Sequence, residues 1–178
     1  MDQAMKILAI SGSLRRGSSN TTLLEAFKLL APADVDIILF EGLASLPHFN
    51  PDDDGENAPT TVMEFRNQLQ QCEGVLISSP EYAHGVPGSL KNALDWIVSS
   101  GEFYKKPVAL INASSRATHA QASLIEIVNT MGSMLTFETI ALEGKRMEAV
   151  EIASDPVIAR QIESSISEFV EAIKNRRG

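Results

Sequence analysis

Several features that define particular classes of protein are scarce in this sequence or missing from it. Its 178 residues include one cysteine, Cys72, so an internal disulfide and a cysteine-rich zinc site are both excluded. The 3 histidines lack metal-ligand spacing, and we expect no metal site. No run of about 18 apolar residues occurs, and the N-terminus lacks the basic segment and apolar core of a signal peptide. A soluble, cytoplasmic protein with no membrane partner is therefore expected.

Positive charge is also in short supply. Lys and Arg number 15 against 23 Asp and Glu, which gives a formal net charge of −8 at pH 7. A nucleic-acid-binding protein needs a basic face, so this balance argues against nucleic acid as a partner. A small anionic ligand, by contrast, needs only a local cluster of positive groups.

What the sequence does contain is an alternation of apolar strands and amphipathic helices. Its length and its 44% hydrophobic content predict a single domain over residues 1–178. The predicted strands are 7–10, 35–40, 74–79, 107–113 and 134–140. The predicted helices are 20–31, 61–72, 89–98, 118–131 and a last one from Ser154 or Asp155 to about Asn175.

The order of these segments predicts the fold class. The inner strands are continuous apolar runs, which are typical of a parallel sheet covered by helices on both faces. Five strand–helix units predict an α/β, flavodoxin-like three-layer sandwich with a five-stranded parallel sheet in the order 2-1-3-4-5. Ligands of such folds bind beyond the carboxyl ends of the strands, where the strand order reverses. The loops after Ile10, Ser79 and Ala113 should therefore converge on one site.

The loop after the first strand, "SGSLRRGSSNT" (11–21), is rich in short polar side chains. Its spacing is that of a nucleoside-triphosphate loop, but a serine stands where that loop has its lysine. Four serines, together with Asn20 and Thr21, would surround a helix N-terminus, and Arg15 and Arg16 add positive charge. Helix N-termini bind anions, so we interpret this loop as a site for one terminal phosphate. An ordinary serine cap of the helix is the alternative.

The loop after the third strand opens the stretch "SSPEYAHGVPGSLKNALDW" (78–96). Its prolines and glycines would make it rigid, so that backbone N–H and C=O groups could face the edge of a flat heterocycle. Tyr82 or His84 could then lie against the face of that ring. The alternative is a plain turn into a helix that Ser89 caps.

Together the two motifs resemble the NADPH-dependent FMN reductase family, which includes chromate, quinone and azo-dye reductases. The stretches "LPHFNPD" and "CEGVLISSPEY" are similar to the family as well, and the likeness covers roughly residues 5 to 140. The resemblance implies FMN and NADPH as cofactors. It also implies an NAD(P)H-dependent FMN or quinone reductase, in which hydride passes from NAD(P)H through FMN to a small acceptor. Flavins, quinones, azo compounds and metal oxyanions are the acceptors it suggests.

The resemblance further implies which residues hold the cofactor. The FMN phosphate would be held by Ser13, Arg15, Ser18, Asn20 and Thr21, with Ser11 and Ser19 beside them. The isoalloxazine would be bordered, largely by main chain, by Pro80, Glu81, Tyr82, Ala83, His84 and Gly85. Ser114 and Ser115 would contribute from the loop after the fourth strand. No catalytic side chain is expected, because the flavin supplies the chemistry and the protein supplies orientation.

The sequence departs from the family at two places. The loop "NASSRATHAQASL" lacks the glycine-rich run that often follows the serine after the fourth strand. Ala83 stands where many members carry asparagine, so a hydrogen bond to the pyrimidine edge must come from the backbone or from His84.

Some roles stay open at this point. Glu81 could orient its loop or make a subunit contact, and His84 could donate a proton to a quinone product or simply face solvent. Trp96 is expected in the core or at an interface, and Cys72 as a buried, inert thiol. The family implies a homodimer or homotetramer, with the loop 42–59 and the helix near Trp96 as candidate contacts. An electron-carrier flavodoxin or a flavin-binding sensor is the alternative function, although arginines in the phosphate loop and few aromatic residues favour the reductase.

Overall fold

The five apolar segments form one parallel sheet. The computed structural model describes residues 4–142 and 146–176; the rest of the predicted domain, residues 1–3, 143–145 and 177–178, lies outside the described residues. The strands are β1 (Met5–Ser11), β2 (Val35–Leu39), β3 (Gly74–Ser78), β4 (Pro107–Asn112) and β5 (Met134–Thr139). Their order is β2-β1-β3-β4-β5, and every neighbouring pair is parallel. The predicted fold class and strand order are confirmed.

Six helices in the described ranges cover the two faces of this sheet. They are α1 (Ser19–Leu30), α2 (Thr60–Gln71), α3 (Gly88–Val98), α4 (Thr118–Thr130), α5 (Ala149–Ser154) and α6 (Pro156–Arg176). Buried residues of α1, α5 and α6 form one core, and those of α2, α3 and α4 form the other. The result is a three-layer sandwich.

The apolar runs of the strands follow from this arrangement. Along β1, Ile7 and Ala9 enter the core of α1 and α6, whereas Leu8 and Ile10 enter the core of α2 and α3. A strand buried on both faces has no polar positions to alternate with its apolar ones. None of the helices in the described part of the chain combines the length with the apolar character that crossing a bilayer requires.

The structure differs from the prediction at several element ends. Helix α5 was not predicted; a capping box between Glu148 and Glu151 starts it. The loop from 41 to 59 contains three short 3₁₀ helices rather than irregular chain. Ser89 does not cap α3, because the helix already begins at Gly88, after Pro87. The last helix begins at Pro156, as predicted.

Two residues with open roles belong to the core. Trp96 is fully buried, and its indole N–H donates to the Pro47 carbonyl at 2.8 Å. It therefore holds the 41–59 loop against α3 and belongs to the core rather than to a subunit interface. Cys72 is buried, and burial raises the pKa of its thiol, which keeps it protonated and unreactive.

Candidate functional site

The loops that follow β1 and β3 touch each other at the carboxyl ends of these strands. The Gly12 N–H donates to the Ser78 carbonyl at 2.8 Å. A Cβ atom on Gly12 would lie 2.6 Å from Ser79 Oγ and 3.0 Å from Leu90 Cδ2. Only glycine therefore allows this close approach without displacing Ser79.

Short hydroxyl side chains hold the loop after β1 in one conformation. Thr21 Oγ1 donates to Ser11 Oγ at 2.8 Å, and the Ser13 N–H donates to the same Ser11 oxygen at 3.3 Å. The Arg15 N–H donates to Ser13 Oγ at 3.3 Å, and this hydroxyl also lies 3.3 Å from the Tyr82 phenol oxygen. The loop is thus shaped before any ligand arrives.

The N-terminus of α1 keeps donors that no protein group uses. Ser18 caps the helix by accepting the Asn20 N–H at 3.3 Å, so the ordinary capping role holds for this one serine. Within residues 4–142 and 146–176, the Ser19 and Thr21 N–H groups form no hydrogen bond with a protein acceptor. These donors sit at the positive end of a 12-residue helix, which suits an anion. Arg15 and Arg16 are exposed on the loop just before the helix.

Asn20 connects this helix to the end of the sheet. Its side chain is buried, and its Oδ1 accepts a hydrogen bond from Ser78 Oγ at 2.9 Å. A buried amide is costly unless it is hydrogen-bonded, so this contact fixes where α1 begins relative to β3. Asn20 therefore helps to position the anion-binding donors.

The chain after β3 makes a tight reversal that we call the 82–85 turn. The Tyr82 N–H donates to the Gly85 carbonyl at 3.1 Å, and the Gly85 N–H donates to the Tyr82 carbonyl at 3.0 Å. Between them Ala83 and His84 have φ angles of 49° and 58°. Two consecutive left-handed residues are the geometry in which asparagine and glycine are favoured and alanine is strained. This explains in conformational terms why asparagine suits position 83.

Glu81 anchors the 82–85 turn. Its carboxylate accepts the Ala120 N–H at 2.8 Å and lies 3.2 Å from His84 Nδ1. The hydrogen bond from the Ala120 backbone is the largest cause that holds the pKa of Glu81 below its ordinary value. The His84 ring packs edge to face on His119, with 4.6 Å between centroids. Of the two roles left open, the structure therefore shows Glu81 orienting its loop.

A cavity of about 460 Å³ lies where the three loops meet, so their predicted convergence is confirmed. It is lined by Ser19, Asn20, Ser79, Pro80, Glu81, Asn112, Ala113, Ser114, Arg116, Ala117 and Leu142. Five of the predicted site residues are among these: Ser19, Asn20, Pro80, Glu81 and Ser114. Ser115 is exposed and does not line the cavity. Tyr82, Ala83 and His84 are exposed beside it, on the same loop as Pro80 and Glu81.

Asn112, at the end of β4, is a site residue that the sequence reasoning missed. It is buried; its Oδ1 accepts the Ser114 N–H at 3.0 Å and its Nδ2 donates to the Ala117 carbonyl at 3.2 Å. Ser114 Oγ in turn accepts the Arg116 N–H at 3.3 Å. These side-chain contacts shape a loop that has no glycines. An asparagine that ends an apolar strand was the available signal.

A larger cavity, of about 610 Å³, lies between α2 and residues 100–102, away from the strand ends. Some of its polar groups are already paired: Glu102 accepts from Ser100 Oγ at 2.6 Å and from Gln70 Nε2 at 3.4 Å. Arg66 donates to the Trp96 carbonyl and forms an ion pair with Asp54. The residues that line it come from α2, from Gly55 and from residues 100–102, not from the three converging loops, so it is the weaker candidate.

The smaller cavity and the α1 N-terminus together fit a ligand with a phosphate at one end and a flat ring at the other. The unused N–H groups of Ser19 and Thr21 suit the anion, and the cavity volume lies within the usual range for small-molecule sites. Polar atoms of Ser79, Glu81 and Ser114 edge the cavity. In the described part of the chain, no three His, Cys, Asp or Glu side chains are grouped so that they could hold a metal ion.

Comparison with known proteins points in the same direction. The profile of a family described as NADPH-dependent FMN reductase matches residues 5–145. A quinone reductase of Escherichia coli (strain K12) is 36% identical over 98 residues, which is 54% of this chain and 52% of that protein. An NAD(P)H-dependent FMN reductase of Pseudomonas aeruginosa is 37% identical over 117 residues, 65% of this chain and 63% of that protein. The aligned part thus spans about half to two thirds of these relatives.

A solved structure resembles the whole chain. It is FerB, a flavoenzyme NAD(P)H:(acceptor) oxidoreductase from Paracoccus denitrificans, with a TM-score of 0.81 and 26% sequence identity. The superposition covers 97% of this chain and 99% of that one. The likeness therefore includes the last two helices, which the family profile does not reach.

Proposed function

Since the chain belongs to the NADPH-dependent FMN reductase family, we propose that it is an FMN-dependent NAD(P)H oxidoreductase that reduces a small acceptor. One observation carries the proposal. The unused N–H groups at the start of α1 and the cavity beside the 82–85 turn form a continuous site, because Ser19, whose N–H is unused, also lines the cavity. That combination matches a mononucleotide with a terminal phosphate and a planar ring.

Each part of the site has a proposed role in holding FMN. Ser11, Ser13, Arg15, Ser18, Ser19, Asn20 and Thr21 hold the phosphate, either by donating to it or by shaping the loop that does. Pro80, Glu81, Tyr82, Ala83, His84 and Gly85 border the ring, with Ser114 and Ser115 on the opposite side. FMN held by these residues would supply the redox chemistry, which is hydride transfer between NAD(P)H and the acceptor.

The protein's own contribution is orientation and electrostatics. The hydroxyl network of Ser11, Ser13 and Thr21 exists without the ligand, so little ordering is needed on binding. The backbone N–H groups and the helix dipole favour negative charge in the site. His84 has 78% of its side chain exposed, so it faces solvent and does not shield the site from it. We assign no side chain as a catalytic residue.

Further parts of the proposal concern partners and setting. The acceptor is of the quinone class, a choice supported by the name of the Escherichia coli relative. Residues 1–178 form a single FMN-binding domain in the cytoplasm, with NADPH as the hydride donor. The protein assembles as a homodimer or homotetramer, which sedimentation at micromolar concentration tests; a monomer would contradict this part alone.

A turnover assay tests the proposal directly. Purified protein is mixed with FMN, NADPH and a benzoquinone, and the nicotinamide absorbance band is followed. We expect rapid NADPH oxidation that depends on FMN and needs no partner protein. Flavin that stays oxidised in the presence of NADPH and NADH would overturn the proposed activity.

A further inference from the structure

Helix α4 has no cap of its own. The residue at its N-cap position is Ala117, whose methyl group accepts no hydrogen bond, and no side chain caps the helix locally. A serine, threonine, aspartate or asparagine at that position normally accepts an N–H of the first turn. The first turn of α4 therefore needs an acceptor from elsewhere in the chain.

Glu81 supplies that acceptor from 39 positions away. Its Oε2 accepts the N–H of Ala120, the third residue of α4, at 2.8 Å. This is the N–H that a local capping side chain would bind. The negative carboxylate also lies at the positive end of a 13-residue helix, where it is stabilised. The loop after β3 thus caps the helix that follows β4.

The second oxygen of the same carboxylate holds the strained turn. Glu81 Oε1 lies 3.2 Å from His84 Nδ1, and His84 is one of the two left-handed residues. A left-handed alanine and histidine are disfavoured by themselves, so their conformation depends on contacts that restrain them. The contacts that restrain it include the two Tyr82–Gly85 backbone hydrogen bonds, the Glu81–His84 contact, the Tyr82–Ser13 contact and the packing of His84 on His119.

We propose that Glu81 is a positioning residue: one carboxylate joins the 82–85 turn to the N-terminus of α4 and so sets the distance between two walls of the cavity. The inference rests on the proposed function, because the cavity is the one assigned to the flavin ring. Glu81 and Ala117 line this cavity from opposite loops, so a shift of either loop changes its width. Glu81 acts through the turn and takes no part in the chemistry.

The experiment compares Glu81→Ala and Glu81→Gln with Glu126→Ala. Glu126 is an exposed carboxylate on α4 itself, so its removal changes the charge of the same helix without affecting the hydrogen bond between Glu81 and Ala120. Amide exchange at Ala120 is measured by NMR on flavin-free protein. Affinities for FMN and for riboflavin are then measured by calorimetry, and the visible circular dichroism of bound flavin is recorded at saturation.

In Glu81→Ala we expect Ala120 to exchange about tenfold faster and both ligands to bind about tenfold more weakly, since the ring end of the site is affected. The ratio of the two affinities stays at its wild-type value, and the circular dichroism of bound flavin changes. Glu81→Gln keeps an acceptor oxygen, so Ala120 stays protected and affinity falls less. Glu126→Ala matches wild type in all three measurements.

Two results would overturn the positioning role. One is an Ala120 amide that stays as protected in Glu81→Ala as in wild type. The other is faster exchange with unchanged affinities and an unchanged flavin spectrum, which would reduce Glu81 to a helix cap. Wild-type protein that binds no FMN would instead overturn the proposed function, and the positioning role with it, whatever the exchange data show.

Discussion

The surroundings of Arg66 and the loop after β1 are both rich in polar groups. They differ in whether the hydrogen-bond donors already have acceptors within the protein. Around Arg66 the protein uses its own donors: Arg66 Nε and Nη2 donate to the Trp96 carbonyl, Nη2 also pairs with Asp54, and the side chain is buried. At the start of α1, the hydroxyls bind one another, while the N–H groups of Ser19 and Thr21 have no acceptor in the described ranges. The first arrangement stabilises the fold, and the second leaves donors for a ligand.

The difference matters for identifying sites. The cavity beside Arg66 is the larger of the two, but no residue of the three loops at the carboxyl ends of β1, β3 and β4 is among those that line it. A position at the carboxyl ends of parallel strands, together with unused donors at a helix N-terminus, identifies a binding site better than volume does. Substitutions around Arg66 should therefore change the free energy of unfolding, whereas substitutions at the start of α1 should change ligand affinity.

The largest effect is expected from Arg66→Met. It leaves the Trp96 carbonyl and Asp54 without their buried partner, which should lower the free energy of unfolding by about 3 kcal/mol. Urea denaturation measures this change, and FMN affinity of the folded fraction should stay at its wild-type value. Arg160→Met on the exposed side of α6 is the matched control and should cost less than about 0.5 kcal/mol. Equal losses in both variants would remove the distinction between the regions.

The same cluster predicts a dependence of stability on acid. Hydrogen bonding to Arg66 is the largest cause that lowers the pKa of Asp54 from 3.8 to about 2. A carboxyl with a lowered folded-state pKa stabilises the protein above its unfolded pKa and loses that contribution as pH falls through the folded value. Stability should therefore decline between pH 4 and pH 2, by less than the Arg66→Met loss. In Asp54→Asn this part of the decline should vanish; an unchanged pH profile would argue against the ion pair.

At the phosphate end the sharpest substitution is Thr21→Val. It keeps the shape of the side chain but removes the hydroxyl that binds Ser11, so the loop is no longer held for the anion. FMN should bind about fivefold more weakly, equivalent to about 1 kcal/mol, while riboflavin affinity stays constant. Calorimetry with both ligands measures this, and Thr130→Val, at the far end of α4, serves as control. A parallel loss for both ligands would place Thr21 outside the phosphate site.

The smallest effect is expected in the 82–85 turn. Ala83→Gly removes the left-handed strain but adds freedom to the unfolded chain, for a net gain of about 0.5 kcal/mol in stability. Ala58 has an ordinary φ of −57°, so Ala58→Gly should destabilise by a similar amount. Opposite signs in thermal unfolding are the expected outcome. A loss of stability in both variants would mean that position 83 is not strained.

Much of the fold could be predicted from the sequence because strands that are buried on both faces appear in it as continuous apolar runs. Runs such as "GVLI" and "PVALI" are apolar up to the polar residue that ends each strand, and parallel order follows from their alternation with helices. Helix α5 was not predicted because it has only 6 residues. Its start is defined by a Glu–Glu capping box rather than by apolar residues at helical spacing.

The site was predicted in composition but not in detail. The serines and threonines after β1 could be interpreted as a phosphate site because they lie close together in the sequence, just before a helix. The contact of Glu81 with Ala120 joins residues 39 positions apart, and no local pattern reports it. Alanine is disfavoured in the left-handed conformation, so the backbone of Ala83 could not be predicted from its residue type. The hydrogen bonds between Tyr82 and Gly85 reveal that conformation.

One measurement tests the central claim most directly: calorimetric titration of the purified protein with FMN and, separately, with riboflavin. If the unused donors of α1 hold a phosphate, FMN should bind at least about tenfold more tightly than riboflavin, a difference of about 1.4 kcal/mol. Equal affinity for the two ligands would contradict the account, because the start of α1 would then contribute nothing to binding.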